Sequence, residues 1–323
     1  MSFVTFVFSN SAAFDITALQ HRLDGRLTPF QSKHLHISTA LDHLKDSTEL
    51  HIHVEQTGKQ HVKKDVLLEA AAEACAEQIV EVEEEKLIRR LLVHSFNYED
   101  EAEIKQIARY CSQFLNGEAP TDSEGDLETY ADMLTWEQGD GVQLRRSKIS
   151  EPLAAYLKET PLINLPGFIA FRLQAYTEEI REVIEYAIDE YVMDRQYQEF
   201  ISLLQYFVYI QETKTEAAHL IHKGGAEFII LDEHMKPIDT DKLESSFTLE
   251  MLEKDISFED MIVSTLISVS PANIYIHTSE PDLPVIRTIK QIFESRTSIC
   301  SYCSVCRALL AGNSHSGPVI PLT

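Results

Sequence analysis

NLPGFIAFRLQAYTEEIREVIEYAIDEYVMDRQYQEFISLLQYFVYIQE, residues 164–212, is the segment around which the chain is organised. After Pro166-Gly167 it contains neither Pro nor Gly. Pro is tolerated in a first helical turn and pushes the residue before it toward an extended conformation, so the entry to a helix lies at Asn164 or Pro166-Gly167. Phe168, Phe171, Tyr176, Ile180, Val183, Ile184, Ala187 and Tyr191 then recur in steps of three and four, which keeps one helical face apolar. Glu178, Glu182, Glu185 and Asp189 mark the opposite face. From Phe200 to Ile210 the apolar arc widens, as in a helix buried over most of its circumference. The expectation is one very long helix or two, with a break at 194–198. Each buried Phe or Leu contributes about 1.5–3 kcal/mol before entropy is subtracted, so this stretch is expected to nucleate the fold.

On either side the period changes. Residues 3–8 are β-rich, and Ser9-Asn10-Ser11 can cap a helix over 12–23 that Asp24-Gly25 closes. Short strands are predicted over 35–38 and 50–55, the second alternating Leu50, Ile52 and Val54 with His51, His53 and Glu55. Residues 62–96, 100–115, 127–136 and 149–159 read as helices, the first rich in Ala. After 212 the pattern gives a hairpin over 217–231 turned at Gly224-Gly225, a helix over 258–269, a strand over 273–277, a helix over 283–293 and a strand over 296–300. Strand, helix and strand with short links predict a crossover and a parallel pair. The class is therefore α+β. Long buried helices form a mainly helical middle, flanked by a small α+β N-terminal unit and a C-terminal α/β layer of hairpin plus strand-helix-strand. The divisions expected are 1–60, an acidic helical region 61–160, and 161–323 with a cysteine-bearing tail.

The totals restrict the partners. The chain has 323 residues, with 52 Asp and Glu against 28 Lys and Arg, for a net charge of −24. Nucleic-acid affinity rests on cations that neutralise phosphate, so this balance argues against a nucleic-acid partner and against an anionic membrane surface. Arg145, Arg146 and Lys148 are a small basic cluster expected in a solvated loop. The acidic run at Glu81, Glu83, Glu84 and Glu85 is expected to be a solvated helix face. No apolar run is long enough for a membrane span, and no basic residue precedes the apolar N-terminus as in a signal peptide. Five cysteines, an odd number, fit a reduced cytoplasm better than a disulfide framework.

Candidate chemistry centres on Cys300-Ser301-Tyr302-Cys303-Ser304-Val305-Cys306. Three thiols at this spacing just after a strand can converge in a turn and ligate zinc or an iron–sulfur cluster. His315 is the nearest fourth ligand, and Cys111 or a partner chain are others. The same Cys-x-x-Cys could be a redox pair, or the thiols could serve packing alone. A second metal reading joins His51 and His53, two apart on one strand face, with His36. The carboxylates of 178–189 sit four apart, but Arg181 is placed to pair with Glu185, and a solvated, ion-paired face accounts for them. Arg172 borders the apolar face, either as an anion or partner contact or as an arginine at the core edge. No phosphate-loop, dinucleotide, nucleophile-elbow or zinc-protease motif occurs.

The block 165–212, the following HKGGAEFIILDEHMKPI (222–238) and the tail ICSYCSVC (299–306) together resemble the YtxC-like family of sporulation-associated proteins. The likeness covers 162–306, and the first 150 residues match in length and broad character alone. What the resemblance implies is a setting in spore-forming bacteria, with sporulation assigned by association and no reaction or catalytic residue to carry over. The function expected is that of a cytoplasmic, non-catalytic interaction or regulatory protein with protein partners. The alternative is a metal-binding or thiol-redox protein centred on Cys300, Cys303 and Cys306.

Overall fold

The computed structural model describes residues 2–10, 14–57, 63–118, 141–225, 227–238, 258–300 and 303. They fall into two compact units, Met1–Asp194 and Arg195–Thr323. The class is α+β with a mainly helical middle, as the sequence predicts.

In the first unit, strands β1 (Ser2–Ser9), β2 (Leu35–His43), β3 (Ser47–Gln56) and β4 (Leu162–Asn164) form a sheet in the order β2-β3-β1-β4. β1 is an inner strand, antiparallel to β3 and parallel to β4, and Val4, Phe6 and Phe8 are fully buried. Helix α1 (Ile16–Leu27) begins later than the sequence suggests, because Asp15 accepts the Ala18 N–H at 2.9 Å and is the cap. It runs through Gly25, and the Thr28 hydroxyl closes it on the Asp24 carbonyl.

Helix α2 (Lys64–Gln78) passes through a π-helical turn (Ile79–Glu83) into α3 (Glu84–His94). α4 spans Glu101–Leu115, and α5 spans Gly141–Glu159, well upstream of the expected start. Ala71, Ala72, Ala74, Cys75 and Ala76 are fully buried, and their small side chains let α2 approach α1 and α5 closely. Asn164 caps α6 (Leu165–Arg172) by accepting the Gly167 N–H at 2.7 Å. A Cβ at Gly167 would stand 3.0 Å from that same Asn164 oxygen and would crowd the cap.

α7 runs unbroken from Gln174 to Ile210. The break falls at Leu173, not at 194–198. Residues 194–198 hold no helix breaker, and Arg195 pairs with Glu199 one turn on at 3.1 Å. Tyr176, Ile180, Val183, Ile184 and Ala187 are buried as expected. Phe171 and the outer face of the last turns, Phe200, Leu203, Phe207 and Ile210, are exposed instead, and only Ile201 and Val208 of that segment are buried on the second unit's core.

The basic cluster is no loop. Arg145, Arg146 and Lys148 lie on α5, and each meets a carboxylate of another helix: Glu84, Glu81 and Glu179 respectively. The expected solvated acidic face is thus partly interior. Glu84 is 6% exposed and Arg145 3%, their ion pair is 3.1 Å, and Tyr176 of α7 donates its hydroxyl to the same Glu84 oxygen. Arg145 also donates to the Leu115 carbonyl at the end of α4. Burial raises the Glu84 carboxyl above its ordinary range, against the pull of Arg145 and the Tyr176 hydrogen bond.

The second unit carries a sheet in the order β6-β5-β7-β8, made from β5 (Thr215–Gly224), β6 (Glu227–Asp232), β7 (Pro271–His277) and β8 (Thr297–Ile299). β5 and β6 are the expected hairpin, with positive φ at Gly224 and Gly225. β5, β7 and β8 are parallel neighbours. Helices α8 (Phe258–Val269) and α9 (Pro284–Phe293) cover one face, where Ile262, Leu266, Ile286 and Ile289 cluster with Leu220, Ile274 and Ile276.

Replacing Glu84 with Ala leaves the Arg145 guanidinium buried without its counter-charge. This should destabilise the first unit by about 3–5 kcal/mol, read as an earlier urea transition by circular dichroism.

Candidate metal centre

Side chains alternate along a strand, so once Ile274 and Ile276 face α8 and α9, Tyr275 and His277 face the other way. β7 and β8 pair in parallel register, Tyr275 with Ser298 and Ile276 with Ile299, and the Cys300 N–H donates to the Ile276 carbonyl at 2.8 Å. Cys300 therefore comes level with His277. One residue ends β7 and the other follows β8, at the carboxyl ends of neighbouring parallel strands, where open α/β layers gather ligands.

Three residues on, Cys303 returns to the same place. Its Sγ lies 3.6 Å from His277 Nδ1. Ligand atoms of His277, Cys300 and Cys303 all lie within 4.8 Å of one another, the one such triad of potential metal ligands among the described residues. Zinc–sulfur and zinc–nitrogen bonds of about 2.3 and 2.0 Å at a tetrahedral angle would set sulfur and nitrogen about 3.5 Å apart, close to the 3.6 Å between Cys303 Sγ and His277 Nδ1. His277 is buried, and both thiols are half-buried.

The second ring nitrogen of His277 is also engaged. Nε2 stands 3.1 Å from Nδ1 of His219, which neighbours it on β5. The His219 ring stacks on Tyr275 at 5.2 Å and meets His277 edge to edge, with ring centroids 5.3 Å apart. Burial lowers the pKa of His277, with the neighbouring His219 adding to the effect. Burial lowers that of His219 as well, against a small opposing pull from Asp232. Both rings are thereby biased toward the neutral form that a ligand imidazole requires.

Of the thiols singled out in the sequence, Cys300 and Cys303 come together, while Cys306 and His315 lie outside the described residues. Cys111 is not with them: it is fully buried in the first unit's core on α4, its thiol pushed up to about 12 by burial. His277 and His219 escaped the sequence reading because they are remote in sequence from the thiols. The signal for His277 was present in the alternation of β7 and in the crossover that sets strand ends side by side.

The other candidate residues do not build a second centre among the described residues. His51 and His53 stack at 5.8 Å, but His51 is held by Thr5 at 3.0 Å, Asp42 at 3.2 Å and Glu49 at 3.4 Å, and His36 does not join them. Glu179 pairs with Lys148, and Arg181 pairs with Glu178 rather than Glu185. Arg172 is exposed, its guanidinium 6.0 Å from the Tyr156 ring centroid. A polar cleft of about 560 Å³ in the first unit is lined by charges that meet one another, Arg26 with Glu73 and Lys158 with Glu69.

A family model described as the YtxC-like family matches residues 69–298. The chain belongs to the YtxC-like family. A curated relative, "Uncharacterized protein YtxC" of Bacillus subtilis (strain 168), is 24% identical over 220 residues, covering 68% of this chain and 72% of its own length. No solved structure is significantly similar. The family match starts in α2, well upstream of 165. It includes His219 and His277 and stops just short of Cys300.

In the folded, metal-free protein a thiol reagent should modify Cys300 and Cys303 well before Cys75 and Cys111, whose thiols burial makes both inaccessible and hard to ionise. Peptide mass spectrometry after brief labelling, with and without denaturant, checks the order.

Proposed function

We propose that this is a non-catalytic zinc-binding protein of the sporulating cell's cytoplasm. Its ion would clamp the chain beyond β8 to the end of β7, with His277, Cys300 and Cys303 as ligands and Cys306 as the fourth. The observation that carries the reading is the meeting of one imidazole and two thiols at adjacent strand ends. A mixed sulfur and nitrogen donor set suits zinc better than a cluster held by four thiolates, so zinc is preferred to iron–sulfur. A closed site of this kind supplies folding energy rather than a reactive water. β8 has three residues, and a metal crosslink would secure so short an edge. The cytoplasmic and sporulation assignments rest on the cysteine usage and on the family resemblance.

Protein purified under reducing, anaerobic conditions should carry about one zinc per chain, and His277→Ala or Cys303→Ser should lower occupancy while leaving the first unit folded. Occupancy below about a tenth of an equivalent in the wild type would remove the reading. Iron with sulfide, or a disulfide formed on mild oxidation in place of bound metal, would redirect it to a cluster or a redox pair.

Action through a partner protein is favoured by a separate observation. Phe200, Leu203, Phe207 and Ile210 recur on one side of α7 and are exposed, with Tyr206 and Tyr209 beside them. No charged residue occurs from Phe200 to Gln211, so the complement is an apolar helix face of another protein rather than an anionic surface. A protein crosslinked by the wild type at physiological salt should be lost from a Phe200→Glu, Leu203→Glu double variant that retains its circular dichroism. Equal capture by both would end this reading.

A further inference from the structure

An imidazole that ligates zinc through one nitrogen almost always gives its other N–H to an acceptor, which fixes the tautomer and the ring's direction. With zinc bound as proposed, a condition on which the role of His219 rests, His277 has one nitrogen for the ion. Nδ1 faces Cys303 Sγ at 3.6 Å, whereas Nε2 is 3.1 Å from a nitrogen of another ring. Nε2 is closed to the ion by that contact.

We infer that His219 is a positioning residue of the metal centre: its Nδ1 accepts the Nε2–H of His277 and so presents the Nδ1 lone pair of His277 to zinc. The proton count is consistent. Each neutral ring carries one N–H, on Nε2 in both, so His219 Nδ1 keeps the lone pair that the hydrogen bond needs. The acceptor is itself well located. His219 lies on the middle of β5 with its ring stacked on Tyr275, and the β5–β7 ladder pairs it with Tyr275. Its position is set by backbone register and ring stacking, before any ion arrives.

The variants separate hydrogen bonding from packing. His219→Phe keeps a planar ring for Tyr275 but has no acceptor, whereas His219→Asn loses the ring and restores an oxygen close to where Nδ1 stood. Zinc affinity, read by competition with a chromophoric chelator, should fall about 10–100-fold in His219→Phe and return most of the way in His219→Asn. A residue that served packing alone would give the opposite ranking. In the zinc-loaded wild type, long-range proton–nitrogen correlation spectra should show His277 with its proton on Nε2 and the metal on Nδ1. Wild-type affinity in His219→Phe, or a proton on Nδ1 of loaded His277, would overturn the role of His219 while leaving the zinc site standing. A wild type that takes up no zinc would overturn both, and the titration of the wild type shows which has failed.

Discussion

Burial of one face of the first half of α7 is the constraint on which the first unit depends. Tyr176, Ile180, Val183, Ile184 and Ala187 form a continuous apolar stripe with no breaker, and water leaves that stripe only if helices pack against it. The packing brings a cost with it, because Arg145 and Glu84 are carried into the interior along with the apolar groups. Their ion pair, the Tyr176 hydroxyl and the Leu115 carbonyl together satisfy charges that would otherwise be very unfavourable there. Four helices, α3, α4, α5 and α7, thus share a single polar knot. Buried networks of this kind favour one arrangement of helices over near alternatives, since any shift leaves a charge unpaired.

The second unit is organised by a different rule. Its sheet is apolar on the side of α8 and α9, and the period of two along each strand then sends His219, Tyr275 and His277 to the other side. Parallel pairing of β7 and β8 brings the residue after β8 level with the end of β7. The meeting of His277 and Cys300 comes from strand alternation together with a register that burial of Ile274 and Ile276 on one face favours, and Cys303 joins them three residues further on. The same alternation puts His219 and His277 on one face, so the two rings come from the two inner strands of one sheet.

Local patterns were legible where one force dominated. The α7 stripe, the Gly224-Gly225 hairpin and the strand-helix-strand end were all readable, because periodicity and positive-φ demand are properties of adjacent residues. The sequence misled where a local feature had a non-local answer. Gly25 looked like a helix stop, yet α1 continues to Leu27. Residues 194–198 looked like a break, yet nothing there interrupts the backbone ladder. Arg145, Arg146 and Lys148 looked solvated because charge usually is, and only the position of α5 against α2, α3 and α7 gives them partners.

Fold class, thiol spacing and the chemistry open to those thiols were all readable from the chain alone. Each of these is encoded in residue type and in short spacings, which act through backbone geometry and side-chain period. The tertiary structure alone decided that His277 stands beside Cys300 and Cys303, that His219 stands behind it, and that part of the apolar arc of α7 faces outward. Those facts depend on which strands become neighbours and which faces are covered. Both are settled when distant segments bury their apolar sides against each other, and no local spacing records the outcome.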